Sequence, residues 1–154
     1  MKPELSDPSL LRTTSYVAGR WMAAAGNSLT VTNPATGAAV AEVSMVTRSE
    51  TEAAISAAHE AMSGWRDVPA KARAQILRRW FDLMMAHQED LAIIMTTEQG
   101  KALAESRGEV AYGAAFMEWF GEQAKRIDGD VIPAPSSDKR AVCIKQPVGV
   151  VAAI

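Results

Sequence analysis

The chain has 154 residues, of which 48% are hydrophobic and 22% are charged, and its formal net charge at pH 7 is -2. This composition is typical of a folded globular chain with one ordinary core, and it argues against a disordered or membrane-embedded protein. The small negative charge and the lack of a basic tract give no electrostatic reason to expect nucleic acid or anionic lipid as a partner.

The single cysteine, Cys143, excludes a disulfide within the chain and fits a reducing compartment. The first eight residues, MKPELSDP, have neither the apolar segment of a signal peptide nor the arginine-rich character of a transit peptide. No apolar run approaches the length of a membrane span. The sequence therefore predicts a cytoplasmic protein with no membrane partner.

The first third of the chain has the character of β structure. Residues 1–15 are polar and contain two prolines, so they predict a loosely ordered lead-in. Apolar, β-prone runs follow at residues 16–22, 28–33 and 38–44, separated by the turn-forming segments Gly26-Asn27 and 33–37. These runs predict a small antiparallel β unit.

The sequence period becomes helical at Thr47. Two pairs, Thr47 with Glu50 and Ser49 with Glu52, have the spacing of a capping box, in which a hydroxyl and a carboxylate satisfy two backbone N–H groups, and they predict a helix that ends near Gly64. The predicted buried face is mostly alanine, which suits close packing against another element. Its members are Ala54, Ala57, Ala58, Ala61, Met62 and Trp65.

Three further helices are predicted. One begins near Pro69, a short one has the two acids of residues 87–90 in its first turn and ends at Gly100, and a long one runs from about residue 102 to 126. The predicted inward-facing residues are Ala72, Ile76, Trp80, Leu83 and Met84, then Leu91, Ile94 and Met95, then Leu103, Val110, Ala114, Met117, Phe120 or Gly121, and Ala124. Glycines within the long helix each cost roughly 1 kcal/mol relative to alanine, which predicts close contact with another element. They are Gly108, Gly113 and Gly121.

The chain ends in its most strand-like run, residues 148–154, which is apolar and rich in valine. Such a run predicts a strand covered on both faces, as in parallel sheets flanked by helices. A parallel neighbour would require a crossover of a dozen or more further residues. We therefore expect the chain to be the front part of a larger, unfinished α/β unit.

Few residues suggest chemistry. Gly100-Lys101 lacks the companion glycine and hydroxyl of a phosphate-binding loop, since Met95 and Ala102 occupy those positions. His59 and His87 have no ligands at metal-site spacing, so no metal site is predicted. Cys143 lies in an alternating run with no acid–base partner nearby, which favours a core or sheet-face thiol over a nucleophile. The residues alone therefore reveal no catalytic constellation.

An aromatic cluster in the long helix leaves two interpretations open. Phe116, Trp119 and Phe120 could form ordinary core, or they could form the apolar wall of a substrate passage.

Several segments together resemble the N-terminal portion of NAD(P)-dependent aldehyde dehydrogenases. They are residues 16–21 (YVAGRW), residues 33–37 (NPATG), Trp65, residues 98–101 (EQGK) with Glu105 and Glu109, and residues 145–151 (KQPVGVV). Within that family, residues 116–127 and 129–133 are most similar to succinate-semialdehyde dehydrogenases. The resemblance covers nearly everything from about residue 15 to the end.

The resemblance implies an incomplete α/β fold with three domain contributions. Residues 16–130 would form the N-terminal part of a cofactor-binding domain, residues 131–147 would supply strands to an oligomerisation domain, and residues 148–154 would be the first strand of a Rossmann-like sheet. It also implies NAD or NADP as the cofactor, a small aldehyde as the substrate, and self-association as a dimer or tetramer.

The resemblance assigns no catalytic residue to this chain. In the family a cysteine thiolate attacks the aldehyde, a hydride passes to the nicotinamide, and a glutamate activates water, but the corresponding positions would follow Ile154. Cys143 does not match the catalytic cysteine. The resemblance does imply a cofactor contact for Ile154, at the end of the first sheet strand, and places Phe116 and Phe120 in the substrate tunnel.

Two functional hypotheses follow. In the first, the chain is a catalytically silent part of an aldehyde-oxidising enzyme, with succinate semialdehyde as the expected substrate. In the second, it is a truncated, non-catalytic interaction or decoy subunit.

Overall fold

Three separate antiparallel hairpins form the β part of the computed structural model, which describes residues 3–154, and two of them lie before the first helix. In the first, β1 (Ser15–Val17) pairs with β2 (Arg20–Met22); in the second, β3 (Ser28–Thr32) pairs with β4 (Ala39–Ser44). The predicted antiparallel character is confirmed. The single run expected at residues 16–22 is wrong, because Ala18 and Gly19 adopt φ values of 48° and 80° and reverse the chain in a two-residue turn.

Helix α1 (Arg48–Arg66) begins as the sequence predicts. The Thr47 hydroxyl accepts a bond from the Glu50 N–H at 3.3 Å, and the Glu50 carboxylate accepts one from the Thr47 N–H at 2.8 Å. The predicted burial of its alanine-rich face is not observed, because no residue of α1 is buried and Trp65 is 49% exposed. The capping box therefore sets the start of the helix, and its apolar face lies open.

The remaining helices form a packed unit. They are α2 (Ala70–Ala86), α3 (Gln88–Gln99) and α4 (Leu103–Gln123), the last continued by a 3₁₀ turn (Ala124–Arg126). The buried residues of this unit are Ala74, Asp90, Ala92, Ser106, Val110, Ala114, Gly121 and Ala124. The core therefore lies along α4, which packs against both α2 and α3.

The closest approach of α2 and α4 occurs at Gly121. A Cβ atom at this position would lie 3.3 Å from the Leu77 Cβ and 3.4 Å from the Ala74 carbonyl oxygen. Close contact is thus confirmed at Gly121, whereas a Cβ at Gly108 would meet nothing within 4 Å. The sequence predicted that either Phe120 or Gly121 would face inward. In the structure Gly121 is buried and Phe120 is exposed.

The predicted inner face of α2 is wrong in part. Ile76 and Trp80 are 51% and 53% exposed, and Leu83 is also exposed. The helix instead buries Ala74 and lays Leu77 against Gly121. Because α2 carries apolar residues on two faces, helical periodicity alone did not decide which face would meet α4.

Polar contacts join α3 to α4. The Thr96 and Ser106 hydroxyls lie 2.8 Å apart, with Ser106 fully buried, and the Arg107 guanidinium donates two bonds of 2.7 Å to the Glu89 carboxylate. This bidentate pair lowers the pKa of Glu89. The buried hydroxyl pair satisfies both polar groups within the contact.

Gly100 ends α3 as predicted, with a left-handed φ of 76° and its N–H bonded to the Thr96 carbonyl at 2.8 Å. A Cβ atom at Gly100 would also lie only 2.8 Å from the Pro34 Cγ. Pro34 belongs to the turn between β3 and β4. Gly100 therefore serves both to end the helix and to let this turn approach it.

Residues 1 and 2 of the expected loose lead-in lie outside the described residues, and its described part is attached to the helical unit. The Asp90 carboxylate accepts bonds from the Ser6 and Asp7 N–H groups, both at 2.8 Å. Next along the chain is a 3₁₀ turn (Pro8–Leu10), which Asp7 caps. The sequence did not indicate this attachment because its partner lies more than eighty residues away.

The C-terminal residues form one short hairpin. β5 (Asp130–Ile132) pairs with β6 (Ala141–Cys143) in antiparallel register. The strand expected at residues 148–154 is not formed, and Val148 is 91% exposed. Among the described residues this segment has no strand beside it to satisfy its backbone groups. No helix in the described part of the chain is long and apolar enough to cross a membrane.

We predict that Gly100→Ala lowers the free energy of unfolding more than Gly37→Ala does. Both glycines have positive φ, and a Cβ at Gly37 would meet nothing within 4 Å. Gly37→Ala is expected to cost about 1–2 kcal/mol of backbone strain, and Gly100→Ala should cost more because of Pro34. Urea denaturation checks the ranking, and equal losses would contradict the Pro34 contact.

We also predict opposite effects for two substitutions in α4. Gly121→Leu should destabilise the chain by about 1–3 kcal/mol, because it forces α2 away. Gly108→Ala should stabilise it by about 0.5–1 kcal/mol, because alanine favours helix and space is open there. Thermal denaturation followed by circular dichroism measures both, and a neutral Gly121→Leu would show that the helices do not pack as described.

Candidate functional site

The candidate site is a groove along the outer side of α4. Its volume is about 560 Å³, and it is lined by Tyr112, Ala115, Phe116, Glu118, Trp119, Phe120 and Glu122. The structure therefore brings Phe116 and Phe120, the two expected tunnel residues, into one groove. Their role there remains a prediction.

The position of the groove follows from the opposite face of α4. Val110, Ala114 and Gly121 are buried, so the aromatic residues on the opposite side of the helical wheel are turned outward. Tyr112 and Phe116 are four residues apart, and their rings meet edge to face with centroids 5.0 Å apart. Phe116, Trp119 and Phe120 are all exposed, so among the described residues the aromatic cluster does not form part of the core.

The charges around this groove are acidic and are partly neutralised from α2. Arg78 donates to Glu118 at 3.0 Å and to Asp82 at 3.1 Å, and its guanidinium lies 4.9 Å from the centre of the Phe81 ring. The residues that line the groove include the two carboxylates of Glu118 and Glu122 and no lysine or arginine. The groove thus suits an uncharged, apolar group.

A second groove, of about 670 Å³, lies between the end of α1, α2 and the end of α4. Its apolar lining includes Trp65, Ile76, Trp80, Phe120 and Ile127. Phe120 therefore borders both grooves. Ile76 and Trp80, two of the α2 residues that the sequence placed in the core, line this second groove.

The other sequence-predicted residues lie outside both grooves. Ile154 is fully exposed at the end of an extended segment and lines neither groove. Cys143 is exposed in β6. Lys101 forms an ion pair with Glu109 on α4. Within the described residues, no group of three or more His, Cys, Asp or Glu side chains is placed to hold a metal ion.

Tyr112 and Glu118 line the groove, although neither was predicted to do so. Tyr112, Phe116 and Trp119 follow the i, i+4, i+7 spacing of one helix face, so the pattern contained a signal for Tyr112. Glu118 had no such signal, because its position depends on Arg78, forty residues earlier.

Comparison with known proteins gives consistent matches. The model of the aldehyde dehydrogenase family matches residues 21–154. The chain is 54% identical to glutarate-semialdehyde dehydrogenase of Pseudomonas aeruginosa and 52% identical to the NADP(+) succinate-semialdehyde dehydrogenase GabD of Escherichia coli. Each match covers 98% of this chain and 32% of the relative. The chain therefore spans about a third of the length of these relatives.

The fold comparison agrees. The crystal structure of succinate-semialdehyde dehydrogenase from Burkholderia pseudomallei superposes with a TM-score of 0.91 at 51% identity, over 94% of this chain and 30% of that one. This similarity confirms the predicted aldehyde dehydrogenase fold class.

We predict that the α4 groove binds an apolar dye in solution. Phe116→Ser combined with Trp119→Ser should lower the fluorescence of an anilinonaphthalene sulfonate dye by about half, because it removes two of the four aromatic side chains that line this groove. Helix content should persist, since both side chains are exposed. Val131→Ser, on exposed β5, is the control, and an equal effect of this control would contradict the assignment.

Proposed function

Because the chain belongs to the aldehyde dehydrogenase family, we propose that it forms the N-terminal part of an NAD(P)-dependent semialdehyde dehydrogenase. The expected substrate is succinate semialdehyde, and glutarate semialdehyde is the alternative that the Pseudomonas relative suggests. The match over residues 21–154, together with about 50% identity to these relatives, carries the proposal. In the overall reaction, the aldehyde, water and oxidised cofactor give a carboxylate, reduced cofactor and two protons.

In this proposal, the chain supplies part of the substrate passage. Phe116 and Phe120 line a groove whose walls are aromatic and whose only formal charges are carboxylates. Such a wall suits the methylene groups of a semialdehyde and repels its distal carboxylate. That carboxylate must therefore be held by cationic groups outside this groove.

The described residues do not by themselves fit a dinucleotide cofactor. Ile154, the one expected contact, is fully exposed, and residues 148–154 have no neighbouring strand among the described residues. We therefore assign no step of hydride transfer to residues of this chain. The cofactor remains NAD or NADP by membership of the family.

The chain alone is proposed to be catalytically silent. Its only thiol, on Cys143, is exposed on a short hairpin and lines neither groove. Val142 and Ile144 flank Cys143 in the chain, whereas a nucleophilic cysteine requires a cationic, partly enclosed environment.

The exposed aromatic surface favours a second candidate function. Two apolar grooves meet at Phe120, and large exposed apolar patches commonly mark sites of protein association. A non-catalytic interaction or decoy subunit would use this surface, or the β5–β6 hairpin, to join full-length copies in the dimer or tetramer expected for the family.

The experiment compares the chain alone with a fusion. Residues 1–154 alone should give no aldehyde-dependent absorbance increase at 340 nm, whereas their fusion to the remaining part of the Pseudomonas relative should oxidise succinate or glutarate semialdehyde. Turnover by the isolated chain that Cys143→Ser abolishes would refute the silent assignment. A folded fusion without activity would refute the proposed enzyme function.

The decoy candidate has its own test. The chain is mixed with a full-length relative, and assembly is followed by size-exclusion chromatography with light scattering. Co-assembly or altered activity supports the candidate, whereas the absence of both refutes it.

A further inference from the structure

One buried charge remains outside the proposed site. Asp90, in the first turn of α3, is 4% exposed, and no lysine or arginine pairs with it among the described residues. Its Oδ1 accepts the Ser6 N–H and its Oδ2 accepts the Asp7 N–H, both at 2.8 Å. Both carboxylate oxygens are therefore used to hold the N-terminal segment.

The segment's other attachments lie on the β hairpins. The Thr13 carbonyl accepts a bond from the Ser44 N–H of β4 at 2.9 Å, and the Arg12 guanidinium lies 4.8 Å from the centre of the Trp21 ring. Between these attachments and Asp90, the 3₁₀ turn is held by its own bonds, including Ser9 N–H to Asp7 Oδ1 at 2.9 Å. Residues 3–13, which we call the strap, thus connect α3 with β4.

The strap is loosely packed against the structure beneath it. A cavity of about 490 Å³ lies between Pro3, Leu5, Pro8, Leu11 and Thr13 of the strap and Ala41 and Glu42 of β4. None of the residues of the 3₁₀ turn is buried. Because apolar contact is limited, the polar attachment at Asp90 is the main one that resists release.

We propose that the strap is a detachable element locked by the Asp90 carboxylate, so that neutralising this one group frees its residues 3–11, which precede the attachments of Arg12 and Thr13, while the unit of α2, α3 and α4 stays folded. Release would open the cavity beside β4 and remove a direct connection between the β3–β4 hairpin and the helices. The strap is therefore a conformational device in the fold, and its behaviour does not depend on the proposed enzyme function.

The charges around Asp90 set the direction of its pH dependence. The Ser6 and Asp7 N–H groups lower the pKa of Asp90, and charge on His87 acts in the same direction. The pKa of Asp7 is also lowered, first by Ser9 and then by His87 and Arg12. Glu89 is adjacent and is paired with Arg107 of α4.

The lowered pKa of Asp90 determines how attachment of the strap depends on pH. The carboxylate contribution is fully present above the ordinary aspartate pKa of 3.8 and is lost as the pH falls through the lower pKa of the folded state. The strap should therefore be attached at neutral pH and released in acid.

The experiment is hydrogen exchange of the whole chain, read by mass spectrometry on strap peptides and on peptides of α4. Asp90→Asn keeps one acceptor and places an NH₂ group against the second N–H, so the strap amides should exchange about tenfold faster or more at neutral pH. Ser6→Pro removes the N–H and the hydroxyl of Ser6, both of which bond Asp90, without altering Asp90 itself, and it should act in the same direction. Asp67→Asn, at the exposed end of α1, is the matched control and should change nothing.

The results decide the proposal in either direction. Faster exchange confined to the strap in both variants, with less than additive loss in the double variant, supports the lock. A low-pH series adds a second readout, since Asp90→Asn should remove the acid-dependent part of strap release. Unchanged strap exchange in Asp90→Asn, equal loss of protection in α4, or an unprotected strap in the unmodified chain would each overturn the proposal.

Discussion

The contact between α2 and α4 at Gly121 is the constraint on which the described structure most depends. The absence of a side chain lets the Leu77 Cβ and the Ala74 carbonyl approach the α4 backbone, and this approach fixes which face of each helix is inside. α3 then packs on the same side of α4 as the buried Ser106, which bonds Thr96. A core made largely of alanine, glycine and serine is thin, and it leaves the larger apolar side chains outside.

That arrangement explains why the functional surface is aromatic. Once Val110, Ala114 and Gly121 face inward, the helix must turn Tyr112, Phe116 and Trp119 outward. On α2, Ala74 and Leu77 face α4, and Ile76 and Trp80 therefore line the second groove. A helix that is apolar nearly all round is usually covered by other structure, which agrees with a chain that spans about a third of its relatives. The exposed apolar surface and the partial length both support the proposal that the chain is the N-terminal part of a larger enzyme.

Local signals were the most reliable part of the sequence analysis. The capping box at Thr47 and Glu50 and the glycine end at Gly100 each involve residues within a few positions of each other, and both were found as predicted. The predictions were wrong where the local sequence fitted two structures almost equally well. At residues 16–22 a β-prone run concealed the Ala18-Gly19 turn, and along α2 two apolar faces competed. The candidate groove was predicted through Phe116 and Phe120, while Glu118 was not.

The sequence by itself determined the helices, the antiparallel β character and the family, because these depend on short-range hydrogen bonding, periodicity and motifs. Only the tertiary structure decided the inner face of α2, the meeting of Pro34 with Gly100, and the role of Asp90. Each of these depends on groups far apart in the chain, and an aspartate in the first turn of a helix gives no sign of the distant N–H groups it will accept. Residues 148–154 show the same limit, since strand-like composition forms no strand without a neighbour to share its hydrogen bonds.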